Sequence, residues 1–289
     1  MTDRRGPLAG VRVIERGDTA PRRSGWVSSE AVEMAGFAKL LELERIEDNL
    51  FRGWCHQGRP GHAFGGHVAA QALVAAGSTV PVDRGVHSLH GYFVRPGRVD
   101  RSIVYGVDRT RDGRSFTTRR VSALQDGEVI CTLLASFQCP EPSSEHQSVM
   151  PTAPPPELAD EVPMRHRFGA VELRPVTQDA TAARGPRQQI WVRAREPVGD
   201  SQLLTVSALT YTSDIRLAST ATLGQRTVRA TSLDHAVWVH RPFTMDEWLL
   251  FDMESPSYAF ARGLVRGEFY TRDGALVASV AQEVLIRPR

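Results

Sequence analysis

One stretch sets the terms for the whole chain: Ser201-Gln-Leu-Leu-Thr-Val-Ser-Ala-Leu-Thr-Tyr-Thr-Ser-Asp214-Ile-Arg-Leu217. Asp200 stands where an N-cap is expected, and Leu203, Leu204, Val206, Ala208, Leu209, Tyr211 and Ile215 then fall almost all the way round a helix. A helix with so little polar face is wrapped by other structure. Its C-terminal half carries Asp214, on one face with Ser207 and Tyr211 by three-and-four spacing. Desolvation and the negative end of the helix dipole both act against a charged carboxylate there, which suits a general base. The same residue also reads as a cap of the helix end, or as the partner of Arg216 or another arginine.

The composition bounds the rest. A chain of 289 residues builds one large domain or two of ordinary size. Its apolar fraction of 41% and charged fraction of 24% are those of a soluble globular protein. No apolar run is long enough to span a membrane, no signal core follows the basic first residues, and the C-terminus Ile286-Arg-Pro-Arg289 is not a peroxisomal address. The expected compartment is the cytosol. The net charge of +2 is spread out, and Lys39 is the only lysine. This reads as a codon bias rather than a nucleic-acid surface, although scattered arginines can still hold an anionic ligand. Cys55, Cys131 and Cys139 lack metal-ligand spacing, and an odd thiol count suits a reducing compartment, so neither metal nor disulfide is expected.

In chain order, residues 1–28 hold no sustained pattern and read as a mobile tail. Ser29 is a candidate N-cap for a short amphipathic helix through Met34, Phe37, Leu40, Leu41 and Ile46. A candidate strand covers 48–55. Phe64-Gly-Gly-His-Val-Ala-Ala-Gln-Ala-Leu-Val-Ala-Ala76 then opens a second buried helix on two glycines. Those glycines serve either a tight turn or a ligand approaching free backbone N–H groups. Strands follow at 87–96, 103–108, 115–124 and 129–138, with Arg111-Asp-Gly-Arg114 and Gln125-Asp-Gly-Glu128 as hairpin turns. Prolines at 140–157 mark an extended linker. Beyond it lie strands at 171–176 and 189–194, the opening helix, and strands at 230–240, 248–254, 263–270 and 275–286.

The two blocks repeat one another: Tyr92-Phe-Val-Arg-Pro96 answers Trp238-Val-His-Arg-Pro242, and Gln125-Asp-Gly127 answers Arg272-Asp-Gly274. Each reads strand, buried helix, then antiparallel strands ending in an apolar one. The expected architecture is α+β, a double hotdog: two tandem antiparallel sheets, each wrapping a central helix. Its parts are an N-terminal hotdog at 29–139, a Pro-rich linker at 140–167 and a C-terminal hotdog at 168–289.

From about Phe37 to Ile286 the chain resembles the acyl-CoA thioesterase II family. The resemblance is carried by Leu50-Phe-Arg-Gly53, Val86-His-Ser88, Tyr92-Phe-Val-Arg-Pro-Gly97, Arg111-Asp-Gly113 and Ala135-Ser-Phe-Gln138 in the first block. In the second it is carried by Ser213-Asp214, Leu233-Asp-His235, His240-Arg-Pro-Phe243, Glu247-Trp-Leu-Leu250 and Arg262-Gly-Leu-Val-Arg-Gly-Glu-Phe-Tyr270. The resemblance implies that an Asp, a Thr and a Gln hold and activate the attacking water, here Asp214, Ser232 and Gln282. Ser232 departs from the usual Thr, and His67 stands where Gln is usual. Further assembly into homo-oligomers, dimers or tetramers, is likewise implied.

The residues speak for Gln282 independently. Leu276, Ala278, Val280, Gln282, Val284 and Ile286 share one face by period two, and Gln282 is its one polar member. A buried amide needs partners; it either satisfies backbone or belongs to a site. The first buried helix holds no carboxylate, so one site per chain is expected. The expected reaction is hydrolysis of fatty acyl-CoA without a cofactor. Asp214 is its base, Gln282 and Ser232 position the water, and backbone N–H groups at Gly65 and Gly66, beside His67, meet the oxyanion. His87, His235 and His240 read as strand-edge hydrogen-bonders. The rival readings are a non-catalytic acyl-CoA binder and a hydratase. The hydratase wants a His soon after the Asp, where this chain has Ile-Arg-Leu-Ala-Ser219. No Gly-x-Ser-x-Gly elbow supports a serine hydrolase.

Overall fold

A computed structural model describes residues 13–14, 36–59, 61–161, 168–179, 185–225 and 227–289. The first half comprises strand β1 (Val13–Ile14), a single helical turn α1 (Phe37–Leu40), and strands β2 (Leu43–Glu47), β3 (Leu50–Gly53), β4 (Gln57–Arg59) and β5 (His62–Ala63). Helix α2 (Gly65–Gly77) and strands β6 (Gly85–Phe93), β7 (Ile103–Asp112), β8 (Phe116–Gln125) and β9 (Glu128–Gln138) complete it. The second half comprises β10 (Val171–Asp179), β11 (Arg187–Ala194), helix α3 (Gln202–Ser213), a short helix α4 (Leu217–Ala221), β12 (Val228–Ser232), β13 (Asp234–Val239), β14 (Leu249–Ala259), β15 (Arg262–Thr271) and β16 (Leu276–Pro288).

The strands run β1-β2-β3-β7-β8-β9-β6-β13-β16-β15-β14-β11-β10, with β12 also on β16. The order is a palindrome of the repeat: β3-β7-β8-β9-β6 meets β13-β16-β15-β14-β11 at an antiparallel seam from Asp234–Tyr92 to Trp238–Ser88. The two sheets expected of a double hotdog are thus one continuous sheet. Its inner face wraps α2 and α3, whose small, apolar residues build one core. The Asp126-Gly127 turn takes positive φ at both residues, 48° and 82°, which is the two-residue hairpin its sequence called for.

Four expectations change. The helix expected through Leu40, Leu41 and Ile46 is only the four residues of α1, and its residues before 36 lie outside the described ones. Leu41 and Leu43 alternate with Glu42 and Glu44, so the buried pair follows a strand period and 43–47 joins the sheet. The tail expected over 1–28 contributes β1, parallel to Leu43 and Glu44, where the consecutive branched residues Val13 and Ile14 suit an edge strand. The N-cap of α3 is Ser201, whose Oγ accepts from Leu204 N–H at 3.3 Å, rather than Asp200. The single strand expected at 230–240 breaks at Leu233 into β12 and β13, and Asp234 Oδ1 accepts the Glu283 N–H at 2.6 Å at the break.

Residues 140–155 form neither helix nor strand but are tied to the second half. Gln147 bonds both the Gly274 carbonyl and the Leu276 N–H, and Trp191 Nε1–H donates to the Pro154 carbonyl at 2.8 Å. Met150 and Ala153 cover a second apolar cluster of Trp191, Trp248, Leu250, Tyr270 and Leu276.

Candidate active site

A helix start and a helix end meet at the site. A Cβ on Gly66 would stand 2.7 Å from the Tyr211 carbonyl oxygen, and one on Gly77 would stand 2.5 Å from the Leu203 side chain. The two glycines therefore let α2 and α3 lie antiparallel in close contact. Asp214, which ends α3, is delivered to the first turn of α2, where Gly66 N–H donates to its Oδ2 at 2.7 Å. From the sheet, Gln282 Nε2–H on β16 donates to Oδ1 at 2.6 Å, and Ser232 Oγ–H on β12 donates to the same oxygen at 3.3 Å. Asp214 is 7% exposed and Gln282 1%. The fold thus brings Gly65, Gly66, Asp214, Ser232 and Gln282 together.

The carboxylate faces two dipoles of opposite sign. Its own helix presents the negative end, as the sequence suggested, while α2 presents the positive end and a free N–H. Three donors occupy three of its acceptor positions, leaving one open. Gln282 Oε1 is buried with no hydrogen-bond partner among the described residues. Two unfilled acceptors thus belong to residues already bonded to each other. Arg216, weighed as a partner for Asp214, makes no ion pair with it.

His67 does not join this set. Its ring is buried, with Nε2 2.6 Å from the Leu40 carbonyl and Nδ1 accepting the His56 N–H at 3.3 Å. Those partners place the proton on Nε2, so the 3.2 Å contact with Gln71 Nε2 is not a hydrogen bond; that amide already donates to the carbonyls of Leu40 and Trp54. Burial pushes the imidazole pKa down to about 3, so it is neutral. A substrate contact for the His67 side chain is replaced by a structural one. Tyr211 turns away likewise, to His56 at 2.6 Å.

The chain matches the family described as acyl-CoA thioesterase N-terminal domain over residues 52–138 and its C-terminal domain over residues 142–286. It is 38% identical to acyl-coenzyme A thioesterase 8 of Homo sapiens, over 86% of this chain and 88% of the relative. It is 34% identical to acyl-CoA thioesterase 2 of Haemophilus influenzae, over 86% of this chain and 96% of that one. Among solved structures, an acyl-CoA thioesterase II from Mycobacterium marinum superposes with a TM-score of 0.79 at 42% identity, covering 88% of this chain and 97% of that one.

The chain belongs to the acyl-CoA thioesterase family. Against its family pattern, the missing methyl at Ser232 leaves the hydroxyl within reach of Asp214, and His67 supplies the donor and acceptor that an amide would. Two further residues, Phe93 and His235, stand beside the site. A Cβ on Gly65 would stand 3.0 Å from the Phe93 ring and 3.1 Å from Asp214 Oδ2, so that ring borders the carboxylate. His235, expected at a strand edge, is buried: it precedes Ala236, the partner of Ala281, and so lies beside Gln282. Its Nε2 bonds Ser213 Oγ at 2.7 Å. Burial pushes its pKa down, opposed by Asp214. The signal for it was the alternation His235, Val237, Val239 on one face of β13. His87 and His240 pair with Ser136 and Ser279, as strand hydrogen-bonders do.

Proposed function

We propose that this thioesterase hydrolyses fatty acyl-CoA by direct attack of water on the thioester carbon, with Asp214 as the base. The observation that carries the reading is the convergence of Gly66 N–H, Ser232 Oγ and Gln282 Nε2 on one buried carboxylate. A water molecule donating to the open position of Asp214 and to Gln282 Oε1 has both hydrogens engaged and its lone pair free for attack. Asp214 takes one proton as the water oxygen bonds to carbon, and returns it as the C–S bond breaks and CoA leaves as the thiol. Because Gly66 N–H already serves Asp214, the developing oxyanion falls to the N–H of Gly65, which opens α2 and has no carbonyl partner within the helix.

Cytoplasmic residence and assembly into dimers or tetramers belong to the same reading. Three unpaired thiols support the first, and Tyr92, Leu134 and Trp238, exposed on strands around the central seam, support the second. No described helix is long and apolar enough to cross a membrane. A cavity of about 780 Å³ opens on the outer sheet face between Trp238 and Arg187 and shares no residue with the Asp214 cluster.

The test is thiol release from saturated acyl-CoAs of short, medium and long chain. Asp214→Asn is expected to lose about 10²–10⁴-fold in kcat, the usual worth of a positioned base. Gln282→Ala should lose a comparable factor, and Ser232→Ala, at the longer contact, less. Acyl-CoA bound by wild type without thiol release would instead mean a binding protein.

A further inference from the structure

The described arginines that are withdrawn from solvent have partners, with one exception. Arg45, Arg84, Arg119, Arg187 and Arg241 each hold a carboxylate of their own, and Arg174 and Arg193 share Glu172. Arg216 is part-buried and makes no ion pair with any described residue. Its Nε is buried without a hydrogen-bond partner. Its backbone is anchored: the carbonyl accepts from Ser219 Oγ at 2.7 Å, Thr220 Oγ1 at 3.2 Å and Gln188 Nε2 at 3.3 Å. The main chain is thus held at the residue while the guanidinium has no counter-charge among the described residues. Burial accordingly pulls its pKa below the usual arginine value.

A cation withdrawn from water without a partner costs stability. Its position suggests what offsets that cost. Arg216 lies two residues beyond Asp214, at most about 7 Å away along the chain, where α3 ends and α4 begins. A thioester held at Asp214 extends in both directions from the reacting carbon, well past that distance. The planar guanidinium fork matches a carboxylate or a phosphate with two parallel N–H donors, which a lysine cannot do.

We propose that Arg216 is a specificity-determining residue that binds an anionic oxygen group of the substrate: a phosphate of the CoA half or a carboxylate at the far end of the acyl half. The inference rests on the thioesterase reading and deepens it. Two pairs of substrates separate the sources. One pair is a saturated acyl-CoA and an ω-carboxyacyl-CoA of the same length; the other is the N-acetylcysteamine thioesters of the same two acids, which carry no phosphate.

For a phosphate contact, Arg216→Gln raises KM tenfold or more for both CoA thioesters, leaves kcat within about twofold, and does not change the N-acetylcysteamine pair. For a carboxylate contact, the rise in KM follows the ω-carboxyl group on either thiol. In both cases Arg216→Lys recovers only part of the loss, and the thermal midpoint of Arg216→Gln equals or exceeds that of wild type, because an unpaired charge has been removed. An equal loss on all four substrates, no loss on any, or a variant that fails to fold overturns the proposal. Calorimetric binding of free CoA and of an α,ω-dicarboxylate to wild type and Arg216→Gln reads the same contact without turnover. A wild type that hydrolyses nothing yet loses one of these ligands on substitution therefore refutes the activity and not the anion site.

Discussion

His67 sits in the first turn of α2, whose Gly66 N–H binds Asp214, and the fold treats the two side chains' charges in opposite ways. Asp214 is surrounded by donors and by the positive end of α2, an environment that accepts an anion. His67 has one donor-facing and one acceptor-facing nitrogen, both filled by backbone, and no room for a second proton. In the unfolded chain its pKa is about 6.5; in the fold burial depresses it to about 3. The stability linked to it is therefore whole above pH 6.5 and is lost as the pH falls toward 3, at about 1.4 kcal/mol per unit, because only the unfolded chain takes up the proton. His67→Gln keeps a donor and an acceptor without a titration. Denaturant unfolding at pH 8 and pH 5 should give similar stabilities at the higher pH and a variant ahead by up to about 2 kcal/mol at the lower. Parallel losses for both proteins would show that His67 is not the acid-labile group.

At the scale of elements, the site is a contact between α2 and α3 that depends on a missing side chain. Gly66→Ala would set a methyl 2.7 Å from the Tyr211 carbonyl and 2.8 Å from the Phe64 ring. Overpacking of this kind costs about 1–3 kcal/mol, and the separation it forces lengthens the bond from Gly66 N–H to Asp214. The expected result is a lower unfolding free energy together with a fall in kcat of tenfold or more. Gly106→Ala, with nothing within 4 Å of the added Cβ, should change neither. A Gly66→Ala variant with full kcat would mean that the helix contact does not hold the carboxylate. The same contact marks how far the sequence could be read. Asp214 and Gln282 were each legible as the odd polar group on an apolar face, one by helical period and one by strand period. That Gly66 donates to Asp214 was not legible, since the partners are 148 residues apart and their meeting depends on how two helices pack. The orphaned state of Arg216 was equally hidden, because a lack of counter-charge appears only once every neighbouring carboxylate has a place.

At the scale of the whole molecule, the second half of the sheet is apolar on both faces where Trp191, Leu250, Tyr270 and Leu276 form one row across β11, β14, β15 and β16. Along β11, Ile190 and Val192 face the inner core while Trp191 faces outward, and on β14 Leu249 and Phe251 alternate with Leu250 in the same way. An outward face of this kind must be covered, and the Pro-rich segment between the halves covers it. Read as a spacer in the sequence, it is a strap: Pro154 and Pro156 accept from Trp191 and Arg174, Glu157 pairs with Arg272, and Glu145 pairs with Arg241. Prolines suit the role because an extended segment with fixed φ has little entropy left to lose on docking. Replacing residues 151–156 with a Gly/Ser segment of equal length removes Ala153 from the cover and the fixed φ angles that hold the carbonyls serving Trp191 and Arg174 in place. At about 1 kcal/mol per hydrogen bond, with uncovered apolar area added, the expected loss is on the order of 2–4 kcal/mol. Limited proteolysis is then expected to cut within the segment in the variant and not in wild type. The Asp214 cluster lies on the inner face, so kcat at 25 °C should hold; a variant of unchanged stability would reduce the strap to a tether.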